Sequence, residues 1–91
     1  MKSVLIISYD LADPGQNYEA LLKRIKAYPQ WARLGGSAYL ILTDNSPVQV
    51  RDSLGVALDS NDKLYVGVAS APAAWRGMPE EVAKWILANQ K

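Results

Sequence analysis

The chain has 91 residues, 49% of them apolar and 21% charged, enough for one folded domain and too few for a second hydrophobic core. It contains no Cys and no His, which removes disulfides, thiolate nucleophiles, imidazole metal sites and every Ser-His-Asp or Cys-His device. Chemistry must rest on carboxylates, hydroxyls, Lys, Arg or backbone amides, with hard, oxygen-bound cations such as Mg²⁺ as the metals left. Ten basic against nine acidic residues leave a formal charge of +1, so a nucleic-acid surface has to come from local clustering or from dimerisation.

Ser3–Tyr9 carries Val4, Leu5, Ile6 and Ile7 in one apolar run ended by Asp10-Leu11-Ala12-Asp13-Pro14-Gly15, which predicts a central strand covered on at least one face. Asp13, with Pro14 next and Gln16 three residues on, reads as a capping-box helix start. Tyr18, Leu21, Leu22, Ile25 and Tyr28 then form a helical stripe, with Lys23, Arg24 and Lys26 off it and Pro29 closing the helix. Trp31–Leu34 and Ser37–Thr43 flank Gly35-Gly36 and predict a β-hairpin. Ser46 caps a second helix with Pro47 in its first turn and Val50, Leu54, Ala57 and Leu58 as its buried stripe. After the loop Asp59–Asp62, the alternating Leu64–Ala69 predicts a fourth strand. A last helix runs from about Pro79 to Asn89, with Glu80 and Glu81 near its positive N-terminus and Val82, Trp85 and Ile86 as its apolar face.

The order β-α-β-β-α-β plus a C-terminal helix predicts an α+β, ferredoxin-like domain with a four-stranded antiparallel sheet. Residues 1–91 form a single domain in this reading, with a core over 1–70 and a C-terminal segment and helix over 71–91. In that topology the first strand lies between the third and fourth. Asp10 then falls near Ser37, Asp62 and Lys63, while Asp44 goes to the opposite end of the sheet, so Asp10 is the expected centre of any site. The opening apolar run breaks at Tyr9-Asp10, too short for a signal peptide. No run approaches a membrane span. The expectation is a soluble, cytoplasmic protein without a membrane partner.

Several local patterns converge here: Ser8-Tyr9-Asp10-Leu11, Pro14-Gly15-Gln16-Asn17-Tyr18, Thr43-Asp44, Val50-Arg51-Asp52-Ser53-Leu54, Asn61-Asp62-Lys63-Leu64, Ala74-Trp75-Arg76-Gly77 and Pro79-Glu80-Glu81 with Trp85-Ile86-Leu87. Together they resemble the CRISPR-associated protein 2-like superfamily, which includes virulence-associated protein D, and within it the SinR-like branch. The resemblance implies a symmetric homodimer. In it the acidic residue ending the first strand faces its symmetry mate and holds a divalent metal for phosphodiester cleavage. Here that catalytic and metal-holding residue is Asp10, with Mg²⁺ as the metal and Mn²⁺ as the alternative, acting on RNA or DNA in antiviral defence. Some members bridge DNA without cleaving it, so the alternative is a non-catalytic dimeric binding or scaffold module of a defence or toxin–antitoxin-like system, with a protein as a further partner.

The residues carry plainer readings as well. Asp10 also suits an Asx turn at a strand end. A lone carboxylate is a thin Mg²⁺ site, whereas a twofold pair reaches the minimum of one or two carboxylates completed by waters and phosphate. Lys23, Arg24 and Lys26 suit a solvated helix face, or with Arg33 and Ser37 a modest nucleic-acid-binding patch doubled in a dimer. Arg51-Asp52 suits a surface ion pair. Trp75 and Trp85 must bury apolar area either against the open sheet face of their own chain or against a partner subunit, and the partner interface is the reading favoured here.

Overall fold

The computed structural model describes residues 2–12 and 18–90. Asp13, Pro14, Gln16 and Asn17, with the predicted first-helix cap, lie outside the described residues. The elements are β1 (Ser3–Asp10), α1 (Tyr18–Lys26), β2 (Gln30–Gly35), β3 (Ala38–Thr43), α2 (Pro47–Gly55), β4 (Lys63–Val68) and α3 (Glu80–Asn89). The strands form a four-stranded sheet in the order β2-β3-β1-β4, antiparallel at each junction. This is the α+β, ferredoxin-like arrangement that the element order predicts, with the C-terminal helix added.

The apolar run of β1 follows from its position. Successive side chains of a strand point to opposite faces, and β1 is covered on both. Leu5, Ile7 and Tyr9 join Leu21 and Ile25 of α1, Ile41 of β3 and Val50 and Leu54 of α2 in one buried cluster. Val4 joins Ala32, Leu40, Val82 and Ile86 in a second cluster on the other face, with Ile6, Leu34, Leu42 and Trp85 packed against it. Each face of the central strand therefore has its own core, and no polar position interrupts it from Val4 to Ile7. α3 covers part of the second face of its own chain's sheet.

The hairpin turn rests on glycine. Gly35 and Gly36 have φ of +128° and +52°, conformations that a Cβ disfavours, and the register shifts between Arg33 and Gly35. The cap predicted for α2 is present as a full capping box. The Gln49 N–H donates to Ser46 Oγ (3.2 Å) and the Ser46 N–H donates to Gln49 Oε1 (2.8 Å).

Two helices are shorter than their apolar stripes. α1 ends at Lys26, and Tyr28 packs on the first cluster from the connection to β2, because Pro29 disfavours helical backbone at the residue before it. α2 ends at Gly55. Ala57 and Leu58 still pack on the core, but from a tightened turn in which their N–H groups donate to the carbonyls of Leu54 and Gly55. Helical spacing identified the other core-facing side chains, but Tyr18, the first of the α1 stripe, is 38% exposed, and the spacing overran the backbone at the end of both helices.

Candidate functional site

Asp10 is the last residue of β1, exposed, and in register with Lys63 on β4. Two residues earlier, Ser8 pairs with Ala38 on one side and Tyr65 on the other. Alternation places Ser8, Asp10, Lys63 and Tyr65 on the sheet face that α3 covers, but the α3 cluster reaches only as far as Ile6 and Leu40. Beyond that boundary all four residues are exposed and line a shallow depression with Tyr9 and Leu64. Half of the second face is thus closed by α3, and the half holding Asp10 is open.

Two local devices shape this open half. Tyr65 leans along its own strand over Gly67, where a Cβ would stand 2.9 Å from the phenol oxygen, so glycine at 67 makes room for the ring. The ring is thereby directed toward Gly67 and away from Lys63. Asp62 secures the rim. One carboxylate oxygen accepts from the Ala12 N–H (2.9 Å) and the other from the Asp59 N–H (2.8 Å), joining the chain that leaves β1 to the turn that enters β4. A backbone bond from the Tyr9 N–H to the Ser37 carbonyl (3.1 Å) ties the same end of β1 to the start of β3. The predicted neighbourhood of Asp10, Ser37, Asp62 and Lys63 is therefore assembled, with Asp62 in a structural role.

Within a single chain the residues do not fit a closed metal cage. Among the described residues there is no group of three or more His, Cys, Asp or Glu side chains able to hold an ion. Asp10 is the one carboxylate lining the depression, and Lys63 stands directly across from it. One chain supplies half of the two-carboxylate arrangement that Mg²⁺ commonly uses, and a second copy would supply the rest.

The basic residues separate into two places. Arg24 is turned to α2, donating through Nη1 to the Ser53 carbonyl (3.2 Å), and Lys23 is exposed on α1. Lys26 instead lies against Trp31, and Arg33 follows Trp31 by two residues on β2. The Lys26 ammonium lies 5.2 Å from the centre of the indole, and Arg33, on the same face of β2 as Trp31, donates to the Gly36 carbonyl (3.3 Å). This group stands on the helix-covered face at the β2 edge, away from Asp10. Ser37 is half-buried at the start of β3 and joins neither group. Trp31 and Tyr65 carried no separate signal in the sequence beyond being aromatics on strands, since their exposure follows from edge positions that only pairing defines.

Close to Arg33, Tyr9 has its phenol pKa raised above the ordinary value of 10.0. Burial is the main cause, the Tyr39 and Tyr18 phenols add to it, and the Arg33 guanidinium opposes it.

Trp85 sits half-buried on the second-face cluster of its own chain, with its indole N–H buried and unpartnered among the described residues. Trp75 packs beside Ile6, Leu34, Leu40 and Ile86 and keeps 36% of its surface exposed, next to a more exposed Leu87. The exposed pair Arg51–Asp52 forms the predicted surface salt bridge at 2.9 Å. No helix among the described residues is long and apolar enough to cross a membrane. No family model matches the chain, and neither does any curated protein or solved structure.

Proposed function

We propose that the protein is a cytoplasmic homodimer of the CRISPR-associated protein 2-like kind that cleaves RNA or DNA at a metal centre shared by two copies of Asp10. The observation that carries this reading is the position of Asp10 at the end of the central strand, on the half of the sheet face left open by α3. A twofold mate packed there brings the second carboxylate to the first. Two carboxylates at close range repel and raise one another's proton affinity unless a cation lies between them, so dimerisation and metal binding support each other. The paired Asp10 side chains would hold Mg²⁺ or Mn²⁺, which when bound supplies charge neutralisation at phosphate and a more acidic water. Lys63, one strand away, is placed to meet the phosphate backbone.

The test is cleavage of end-labelled RNA and DNA, single-stranded and duplex, with Mg²⁺ or Mn²⁺, alongside the solution mass. A dimer whose cleavage needs the metal and falls at least a hundredfold in Asp10→Asn, with unchanged melting, is the expected result. Equal cleavage by Asp10→Asn, or a monomeric mass at high concentration, overturns the shared centre. A second reading, a non-catalytic dimeric module, is supported by Lys63 in register with Asp10 on the neighbouring strand, a cation beside the carboxylate that a metal would need. It predicts no cleavage under any metal and a partner interaction that depends on Trp75 and not on Asp10.

A further inference from the structure

We propose that the β2 edge carries a single-strand nucleic-acid site, separate from Asp10, in which a base stacks on Trp31 while Lys26 and Arg33 take the flanking phosphates. It rests on the reading of the protein as one that handles nucleic acid, but not on cleavage. Trp31 lies on an edge strand and keeps 38% of its surface exposed. Its ring packs at a tilt against the buried Tyr39, with centroids 6.1 Å apart at 53°, which gives the indole a partner on the sheet and leaves the rest of its surface available. Lys26 lies over the ring and Arg33 follows two residues along on the same face of β2, where it donates to the Gly36 carbonyl, and neither makes a salt bridge to a carboxylate among the described residues.

An exposed aromatic ring with an ammonium over it and a guanidinium two residues along the strand, neither salt-bridged among the described residues, matches the repeat of a single strand, which offers a π-face and a phosphate at every nucleotide. Duplex DNA hides its base faces and offers the ring nothing. An open cleft of about 680 Å³ lies along the same edge strand on its α3 side, between Ala32 and Leu34 of β2 and Pro79, Glu81 and Val82. Lys26 already lies near the indole, so its ammonium needs only a small movement to exchange the ring for a phosphate. The small total charge of +1 is compatible with this site, because a few contacts and one stacked base supply local affinity without a basic surface elsewhere.

Fluorescence anisotropy of a labelled oligo(dT) and oligo(U) of about twelve nucleotides, in EDTA at low salt, tests the site with cleavage silenced. The single strands should bind better than a duplex of equal length. Trp31→Leu should weaken binding about fivefold or more, and Trp31→Tyr should retain most of it, which separates loss of stacking from loss of folding. Arg33→Gln and Lys26→Gln should each lower the slope of log affinity against log salt by about 0.7. Arg24→Gln, facing α2, should bind like the parent. Absent binding, equal binding by Trp31→Leu, or a duplex preference overturns the proposal. Single-strand binding by the parent that depends on Trp31, without cleavage under any metal, would overturn the nuclease reading and leave this site standing.

Discussion

Ile86 and Leu87 are adjacent on α3, and the packing of that helix gives them opposite fates. Ile86 is 5% exposed in the second-face cluster, whereas Leu87 is 71% exposed. Ile86→Ala removes three carbons from a packed site. At about 0.8 kcal/mol per buried methylene the transfer loss alone is about 2.4 kcal/mol, and the cavity left behind brings the total to about 2–4 kcal/mol. A domain of this size holds about 5–14 kcal/mol in all, so the loss is a large share. Leu87→Ala removes an already hydrated side chain and should fall within about 0.5 kcal/mol of the parent. Urea denaturation followed by tryptophan fluorescence, at one protein concentration for all variants, reads both. With a slope of about 1.5 kcal/mol per molar, Ile86→Ala should lower the midpoint by about 1.3–2.7 M and Leu87→Ala should barely move it. Equal shifts, or a larger one for Leu87, would mean that α3 does not lie on its own sheet as described, and the division of the second face into closed and open halves would fail with it.

Asp62→Ala leaves the N–H groups of Ala12 and Asp59 without their carboxylate acceptor and should cost about 1–2 kcal/mol by thermal or urea unfolding. Faster amide exchange should appear at both residues, and Asp62→Asn, which keeps one acceptor oxygen, should lose less; unaltered exchange at Ala12 would refute the tie. Tyr9 sets an alkaline limit. Its raised folded-state pKa means that the unfolded phenol ionises first, near pH 10, so its contribution is complete below about pH 10 and is lost as pH rises through the folded value. Stability of the parent should therefore fall more steeply than that of Tyr9→Phe above about pH 10, by up to about 1.4 kcal/mol per pH unit; parallel curves would refute the assignment.

Much of this fold is legible along the chain because its signals are local. Ser46-Pro47 with Gln49, the double glycine at 35–36 and the run Val4–Ile7 each select a backbone state from a few neighbouring residues, and the element order leaves one simple topology with β1 between β3 and β4. The prediction that Asp10 faces the starts of β3 and β4 followed from that topology alone. The helix ends were less legible, since Tyr28, Ala57 and Leu58 are buried by core contacts that do not require helical backbone beneath them.

The sequence by itself determined the strands and helices, their order, and the exclusion of His and Cys chemistry, because composition, turn residues and periodicity act over one to four residues. Only the tertiary structure decided that α3 covers half of its own sheet and leaves the Asp10 half open. It alone parted Arg24 from Lys26 and Arg33, and set Lys26 against Trp31. Those outcomes depend on which edge strand and which face each side chain meets, and such meetings between residues far apart in the chain are set by packing.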